Sequence, residues 1–128
     1  MLKKLTPNLI VEDVTKAIDF YQETLGCFEL ISTDPKKGKP DWAMMRCEDV
    51  EIMFQSRESL LEKIPEFQTK KNGSMIILYI EVEGIEVLYD WVKTRVIIVK
   101  ELHDTAYKMR EFLIQDCNGF IITFAELK

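Results

Sequence analysis

Histidines and cysteines are the side chains that most often bind metals or act as nucleophiles, and this chain has few of them. The one histidine, His103, falls in a predicted loop, where we expect it to face solvent. The three cysteines, Cys27, Cys47 and Cys117, are odd in number, and their spacing matches no zinc or redox motif. We therefore predict reduced cysteines that pack as small core residues.

A second group of side chains combines rings and thioethers with a few polar groups, as small-molecule sites do. The group comprises Trp42, Met44, Arg46, Glu51, Met53, Gln55, Tyr107, Met109, Glu111 and Thr123. The rings of Trp42 and Tyr107 could stack on a planar ligand or hold a cation. Glu111 is the candidate catalytic residue, because a carboxylate in a cavity of low dielectric can transfer protons.

Several of these residues also have a purely structural interpretation. Met44 and Met53 could belong to an ordinary core, and Trp42 could cover a dimer contact. Glu111 could instead form a structural salt bridge with Arg46 or Arg110. The residue types alone do not distinguish these interpretations. The distinction depends on which helices and strands carry the residues and which way their side chains face.

The predicted elements repeat along the chain. Aligning Val11-Glu12-Asp13-Val14 with Val82-Glu83-Gly84-Ile85 makes each half a strand, a helix and three more strands. Repeat one covers about residues 5–56 and repeat two about residues 75–126 of one domain, 1–128, with the polar break Lys70–Gly73 between them. The pattern predicts an α+β fold in which two βαβββ repeats form a cup-shaped mixed sheet.

Strand alternation then assigns the faces of the sheets. If Met53 and Thr123 face the ligand, the helices pack against the alternate residues Ile52, Phe54, Phe112, Ile114, Ile122 and Phe124. Glu51, Gln55, Met109, Glu111 and Leu113 share the ligand face, and so do Trp42, Met44 and Arg46 on the third strand.

Composition excludes several classes of function. The net charge of -5 and the isoelectric point of about 5.0 argue against nucleic-acid binding and favour a cationic ligand. No apolar stretch approaches the roughly 18 residues of a membrane span. The N-terminus lacks a signal-peptide pattern, because Leu9–Val11 is followed at once by Glu12 and Asp13. We therefore expect a cytoplasmic protein with no membrane partner.

Three segments resemble the glyoxalase/bleomycin-resistance/dioxygenase family, also called the vicinal-oxygen-chelate superfamily. They are NLIVEDVTKAIDFYQETLGCFEL, DWAMMRCEDVEIMFQ and ELHDTAYKMREFLIQDCNGFIITFAE, and the last is the most specific. The likeness covers essentially the whole chain and is nearest to bleomycin-resistance-like members. Two departures are Lys108, where many relatives carry glycine, and Cys117, where they often carry proline.

The resemblance also implies where a metal would bind. Metal-dependent members, which include lyases, isomerases and dioxygenases, hold one divalent ion with His and Glu side chains. Those positions fall here on Thr6, Met53, Thr123 and Ile77, or on Met75 if the alignment shifts by two residues. None is a usual ligand for such an ion. We expect no metal and no cofactor.

The resemblance therefore favours a metal-free protein that binds and sequesters a small molecule, as bleomycin-resistance proteins do, and it implies a homodimer. The alternative is a lyase, isomerase or dioxygenase of the same family that uses a divalent metal or a carboxylate of the cup. Whether the protein is an enzyme stays open at this point, with binding the favoured interpretation.

Overall fold

A computed structural model describes residues 1, 4–34, 38–63, 65 and 76–128. Predictions for the middle of the 34–40 loop, for Ile64, for the break Lys70–Gly73 and for Met75 lie outside the described residues. The chain divides into two compact units, 1–71 and 72–128. Each unit contains one four-stranded sheet.

The first unit has the predicted order of strand, helix and three strands, followed by a short helix. Its elements are β1 (Asn8–Val11), α1 (Val14–Asp19) continued by a π-helical segment (Phe20–Thr24), β2 (Glu29–Thr33), β3 (Trp42–Cys47), β4 (Val50–Ser56) and α2 (Arg57–Lys63). The strands lie in the order β1-β4-β3-β2. β1 runs parallel to β4 and the other pairs are antiparallel, so the sheet is mixed.

The core of the first unit lies between α1 with its π-helical continuation and one face of the sheet. Ala43, Met45, Ile52 and Phe54 are fully or almost fully buried there. The ring centroid of Tyr21 lies 4.9 Å from that of Phe54, which joins the helical segment to β4. Burial of these large apolar side chains is the main force that fixes the helix on the sheet.

The second unit repeats this arrangement. Its elements are β5 (Ile77–Glu81), α3 (Ile85–Val92), β6 (Ile97–Asp104), β7 (Met109–Gln115) and β8 (Ile121–Leu127), with the strand order β5-β8-β7-β6. The α+β class and the repeated βαβββ unit are therefore confirmed. Phe112, Ile114, Ile122 and Phe124 are buried on the helix side of the sheet, as strand alternation predicts.

The start of α3 is held by the last strand. Both oxygens of the Glu126 carboxylate accept hydrogen bonds, one from the backbone N–H of Gly84 at 2.8 Å and one from that of Ile85 at 3.1 Å. These bonds favour the ionised form and lower the pKa of Glu126. They also satisfy two N–H groups that a helix start leaves without intrahelical partners.

The cysteine prediction is wrong for two of the three residues. Cys27 and Cys47 form a disulfide whose Cα atoms lie 5.6 Å apart, and neither residue is buried. Gly26, with a φ of 81°, turns the chain after the π-helical segment, and Cys27 follows it directly. Cys47 ends β3. A separation of 20 residues in sequence could not reveal this proximity.

β6 extends to Asp104. His103 therefore lies in a strand, and the prediction that it falls in a loop is wrong. Within the described residues, no helix is long and apolar enough to cross a membrane.

Candidate functional site

The second unit has an open cavity on the sheet face opposite its core. The cavity has a volume of about 680 Å³ and is lined by Ile77, Tyr79, Lys100, His103, Asp104, Thr105, Ala106, Tyr107, Glu111, Leu113 and Thr123. Strand register explains the grouping. Thr123 of β8 pairs with Tyr79 of β5 and with Leu113 of β7, so the three side chains share one face.

Glu111 is the central polar residue of this cavity. Its side chain is nearly buried, because the residue is only 4% exposed. The Tyr79 hydroxyl donates to its Oε2 at 2.6 Å, and the Tyr107 hydroxyl lies 2.9 Å from Oε1 and 2.8 Å from Oε2. In the part of the chain that the structure describes, no basic side chain lies within ion-pair distance of this carboxylate.

The carboxylate raises the pKa of both tyrosines. Its hydrogen bond to Tyr79, together with desolvation and its negative charge, raises the pKa of that phenol from 10.0 to about 12. The hydrogen bond to Glu111 and desolvation likewise raise the pKa of Tyr107. Both phenols donate to the carboxylate, and about half of the Tyr79 surface, 51%, stays exposed.

Two basic residues of β6 line the same cavity. Lys100 pairs with Leu113 and His103 pairs with Glu111 across the β6–β7 ladder. Nδ1 of His103 lies 2.7 Å from the backbone oxygen of Glu101. A carbonyl oxygen only accepts, so Nδ1 carries a proton, and in the neutral ring Nε2 is the acceptor.

The first unit presents the six other predicted ligand residues on one face of its sheet. Strand register pairs Trp42 with Gln55, Met44 with Met53 and Arg46 with Glu51. The shared face assigned from the sequence is thus present in β3 and β4. Trp42, Met44 and Met53 are all half-buried.

Charges on that face are already paired. Arg46 Nη2 lies 2.6 Å from Glu51 Oε2, and Lys4 contacts the other carboxylate oxygen. Asn8 donates to Gln55 at 2.9 Å, and Gln55 donates to Ser59 at 3.2 Å. The polar groups here stabilise one another, whereas the side-chain partners of Glu111 among the described residues are the two tyrosine hydroxyls.

The structural interpretation of Glu111 as a salt-bridge residue is wrong. Arg46 pairs with Glu51, and Arg110 pairs with Asp104 and Glu86. Alternation explains the second case, since Arg110 and Glu111 are neighbours on β7 and point to opposite faces. Both arginines are therefore occupied elsewhere.

The cavity contains three of the four predicted ligand residues of the second half, Tyr107, Glu111 and Thr123, but not Met109. Met109 shares their strand face and pairs with Leu127, beyond the cavity. Tyr79, Lys100 and His103 also line the cavity and were not predicted as ligand residues from the sequence. Tyr79 could have been predicted, because it lies two residues from Ile77 and therefore on the same face of β5.

The positions that would hold a divalent ion in this family lack the necessary donors. Thr6, Met53, Ile77 and Thr123 offer hydroxyl, thioether and hydrocarbon groups, whereas zinc-type ions require imidazole, carboxylate or thiolate. Among the described residues, no three His, Cys, Asp or Glu side chains are grouped to bind a metal. The donor set does not fit the family's ion.

Several solved structures share this fold at low sequence identity. TioX from Micromonospora sp. ML1 is 18% identical with a TM-score of 0.79, over 99% of this chain and 100% of that chain. A glyoxalase/bleomycin resistance protein/dioxygenase from Nocardioides is 16% identical with a TM-score of 0.77, over 99% and 85%. No curated protein matches the sequence significantly.

A third similar structure is that of the bleomycin-binding protein from bleomycin-producing Streptomyces verticillus, complexed with copper(II)-bleomycin. It is 22% identical with a TM-score of 0.68, and each chain is covered in full, 100%. The sequence pattern of the Glyoxalase/Bleomycin resistance protein/Dioxygenase superfamily matches residues 5–124. The βαβββ repeats and this match together show that the chain belongs to that superfamily.

Proposed function

We propose that the protein binds and sequesters a small cationic molecule in the cavity of its second unit, without a metal. The observation that carries the proposal is Glu111, a nearly buried carboxylate with two tyrosine hydroxyls and no basic partner among the described residues. Removing a carboxylate from water is costly, and hydroxyl donors offset that cost only in part. A ligand cation supplies the missing charge.

The surroundings of Glu111 suit an organic cation. The rings of Tyr79 and Tyr107 flank the carboxylate, and the face of a tyrosine ring attracts a cation. Leu113 and Ile77 add apolar surface for the hydrocarbon part of the ligand. The net charge of -5 raises the local concentration of cations around the protein.

Calorimetry with two matched indoles tests the proposal. Tryptamine carries an ammonium group where tryptophol carries a hydroxyl, so the two molecules differ in that group and its charge and share the indole. We expect tryptamine to bind more tightly, and Glu111→Gln to weaken it by about tenfold or more, the value of one charged hydrogen bond. Asp90→Asn is the control, because it removes one exposed negative charge on α3, outside the cavity. Equal binding of the two indoles would contradict the proposal.

Capture of an antibiotic is the specific form of this function that the bleomycin-binding relative suggests. We propose copper(II)-bleomycin as a separate probe, with the heat of binding measured by calorimetry as the signal. Saturation at micromolar concentration, lost in Glu111→Gln, would support antibiotic capture. A flat titration would remove bleomycin as a ligand and leave the cation proposal to the indole experiment.

A metal-dependent lyase, isomerase or dioxygenase is the alternative within the superfamily. Metal analysis of the purified protein separates the two functions. We expect no stoichiometric metal and no rise in melting temperature with Zn²⁺, Mn²⁺ or Ni²⁺, because the four ligand positions lack donors. A tightly held equivalent of metal would favour the enzyme.

We also propose that the protein works as a homodimer, as the resemblance implies. The edge strand β6 exposes Ile97 and Val99, at 61% and 48%, and such edges are usually covered. Sedimentation equilibrium tests this, with a mass near 30 kDa expected from two 15.0 kDa chains. A single 15.0 kDa species at high micromolar concentration would contradict it.

A further inference from the structure

Two irregularities in β6 determine which of its side chains enter the cavity. Along the ladder with β7, Ile98 pairs with Ile114 and Lys100 with Leu113, so β6 has one extra residue at this point. Between Lys100 and His103, which pairs with Glu111, β6 again has one extra residue. Each β-bulge changes the face to which the following residues point.

The bulges place two basic side chains on the face of Glu111. In a regular strand, residues three apart point to opposite faces, so Lys100 and His103 would be separated by the sheet. The second bulge turns both towards the cavity, and both line it. In the part of the first unit that the structure describes, β2 has the first bulge, between Leu30 and Ser32, and its pairing then continues regularly to Thr33.

Lys100 and His103 both have side-chain groups that can contact a ligand. Lys100 has no ion pair with any residue that the structure describes. Asp104, the other acidic residue of the lining, is held by Arg110 at 2.9 Å and by Lys128 at 2.7 Å. His103 uses Nδ1 for the backbone of Glu101. A ligand carboxylate beside Nε2 favours the protonated ring, in which Nε2 is a second donor.

We propose that Lys100 and His103 bind a carboxylate of the ligand whose cationic group pairs with Glu111, so that the ligand is a zwitterion. The inference rests on the proposed function and adds the second charge of the ligand. A cation without an anionic group would leave Lys100 uncompensated and would be repelled by it. A zwitterion matches the acidic and basic sides of the cavity at the same time.

Matched amines with and without a carboxylate test the inference by calorimetry. Tryptophan is tryptamine plus a carboxylate, and 4-(aminomethyl)benzoate is benzylamine plus a carboxylate at a longer distance. We expect at least one of the two carboxylates to improve affinity by about fivefold over its parent amine. Lys100→Met should remove that gain and tighten binding of the parent amine, because it removes a positive charge that repels the amine.

Lys93→Met is the matched control, because Lys93 is an exposed lysine on the other side of the second unit, paired with Asp90. It should change neither affinity. His103→Gln keeps a hydrogen-bond donor but no positive charge, and it should lower the gain less than Lys100→Met does. An equal loss of the carboxylate gain in both lysine variants would mean that affinity depends only on the net charge of the protein, and it would overturn the inference.

Failure of the inference and failure of the proposed function give different results. If the amines bind through Glu111 but neither carboxylate improves affinity, the zwitterion is wrong and the cation site stands. If no amine binds and Glu111→Gln changes nothing, the proposed function is wrong and the inference falls with it. A carboxylate gain that is present in the wild type and absent in Lys100→Met, with amine binding that depends on Glu111, is the result that supports both.

Discussion

The hydroxyl of Tyr79 donates a hydrogen bond of 2.6 Å to the carboxylate of Glu111, which joins the first strand of the second unit to its third. The strand between them, β8, contributes Thr123 and Ala125, whose small side chains leave space above the sheet. The Tyr79–Glu111 bond thus spans the floor of the cavity. The effect of this hydrogen bond on the pKa of Tyr79 can be measured without knowledge of the ligand.

Replacing Glu111 with glutamine should lower the pKa of Tyr79. The carboxylate holds that pKa at about 12, and a neutral amide removes both its strongest acceptor and its negative charge. In a titration followed by tyrosinate absorbance, one phenol of the wild type should ionise near pH 12, and in Glu111→Gln it should ionise nearer 10.0. Asp90→Asn should titrate like the wild type. An unchanged curve in Glu111→Gln would show that the bond does not form in solution.

Asp104 should stabilise the protein at mildly acidic and neutral pH, and strong acid should remove this contribution. Hydrogen bonds from Arg110 and Lys128 lower the pKa of Asp104 from 3.8 to about 2. Because the folded pKa is depressed, the contribution is present above pH 3.8 and is lost as the pH falls through about 2. The free energies of unfolding of wild type and Asp104→Asn should therefore differ at pH 5 to 6 and converge in strong acid.

The control for this experiment is Asp90→Asn, which removes an exposed carboxylate with one lysine partner. Its difference from the wild type should be small, since exposed single ion pairs contribute little. A constant gap between wild type and Asp104→Asn down to the lowest pH would mean that the network does not act through ionisation.

Regular strands made the faces of the sheets predictable from sequence. Phe112 and Phe124 pair across β7 and β8 on the core face, and Leu113 and Thr123 pair on the cavity face. Both pairs follow from the period of two, because β7 and β8 contain no irregularity. The same rule predicts that Glu111 lies on the cavity face of β7.

The rule failed where the backbone departs from that period. The bulges around Lys100 have no signature in the sequence, so His103 was expected in a loop. The prediction of reduced cysteines failed for a different reason. The path of the chain through several elements brings Cys27 and Cys47 together. Pairwise distances of this kind depend on the whole fold of the unit, and local pattern carries no information about them.

The disulfide should contribute measurably to stability. It closes a loop with a sequence separation of 20, for which loop-closure entropy gives roughly 3 kcal/mol. Denatured protein kept free of reductant should therefore show one reactive thiol, that of Cys117, and reductant should expose two more. Reduction should lower the free energy of unfolding by about that amount.

Two variants separate the disulfide from other effects of the reductant. Cys27→Ser should have the stability of the reduced wild type and should not respond to reductant. Cys117→Ser should keep the full response, because Cys117 is outside the disulfide. Three reactive thiols in the untreated protein would show that the bond does not form under the conditions of purification.

Lys108 has a backbone conformation that favours glycine. Its φ is 65°, in the left-handed region, which costs a residue with a Cβ roughly 1–2 kcal/mol. Glycine avoids that cost but loses roughly 0.5–1 kcal/mol more chain entropy on folding. Lys108→Gly should therefore raise the free energy of unfolding, measured with urea, by roughly 0.5 kcal/mol.

Lys108→Ala distinguishes the backbone from the side chain, because it removes the same charge and retains a Cβ at positive φ. It should give no gain. Equal stabilisation by alanine and glycine would assign the effect to the lost lysine, and no gain with glycine would mean that the turn is unstrained. A gain for glycine alone would show that the left-handed backbone costs stability at this turn, which follows directly on Tyr107, whose hydroxyl binds Glu111.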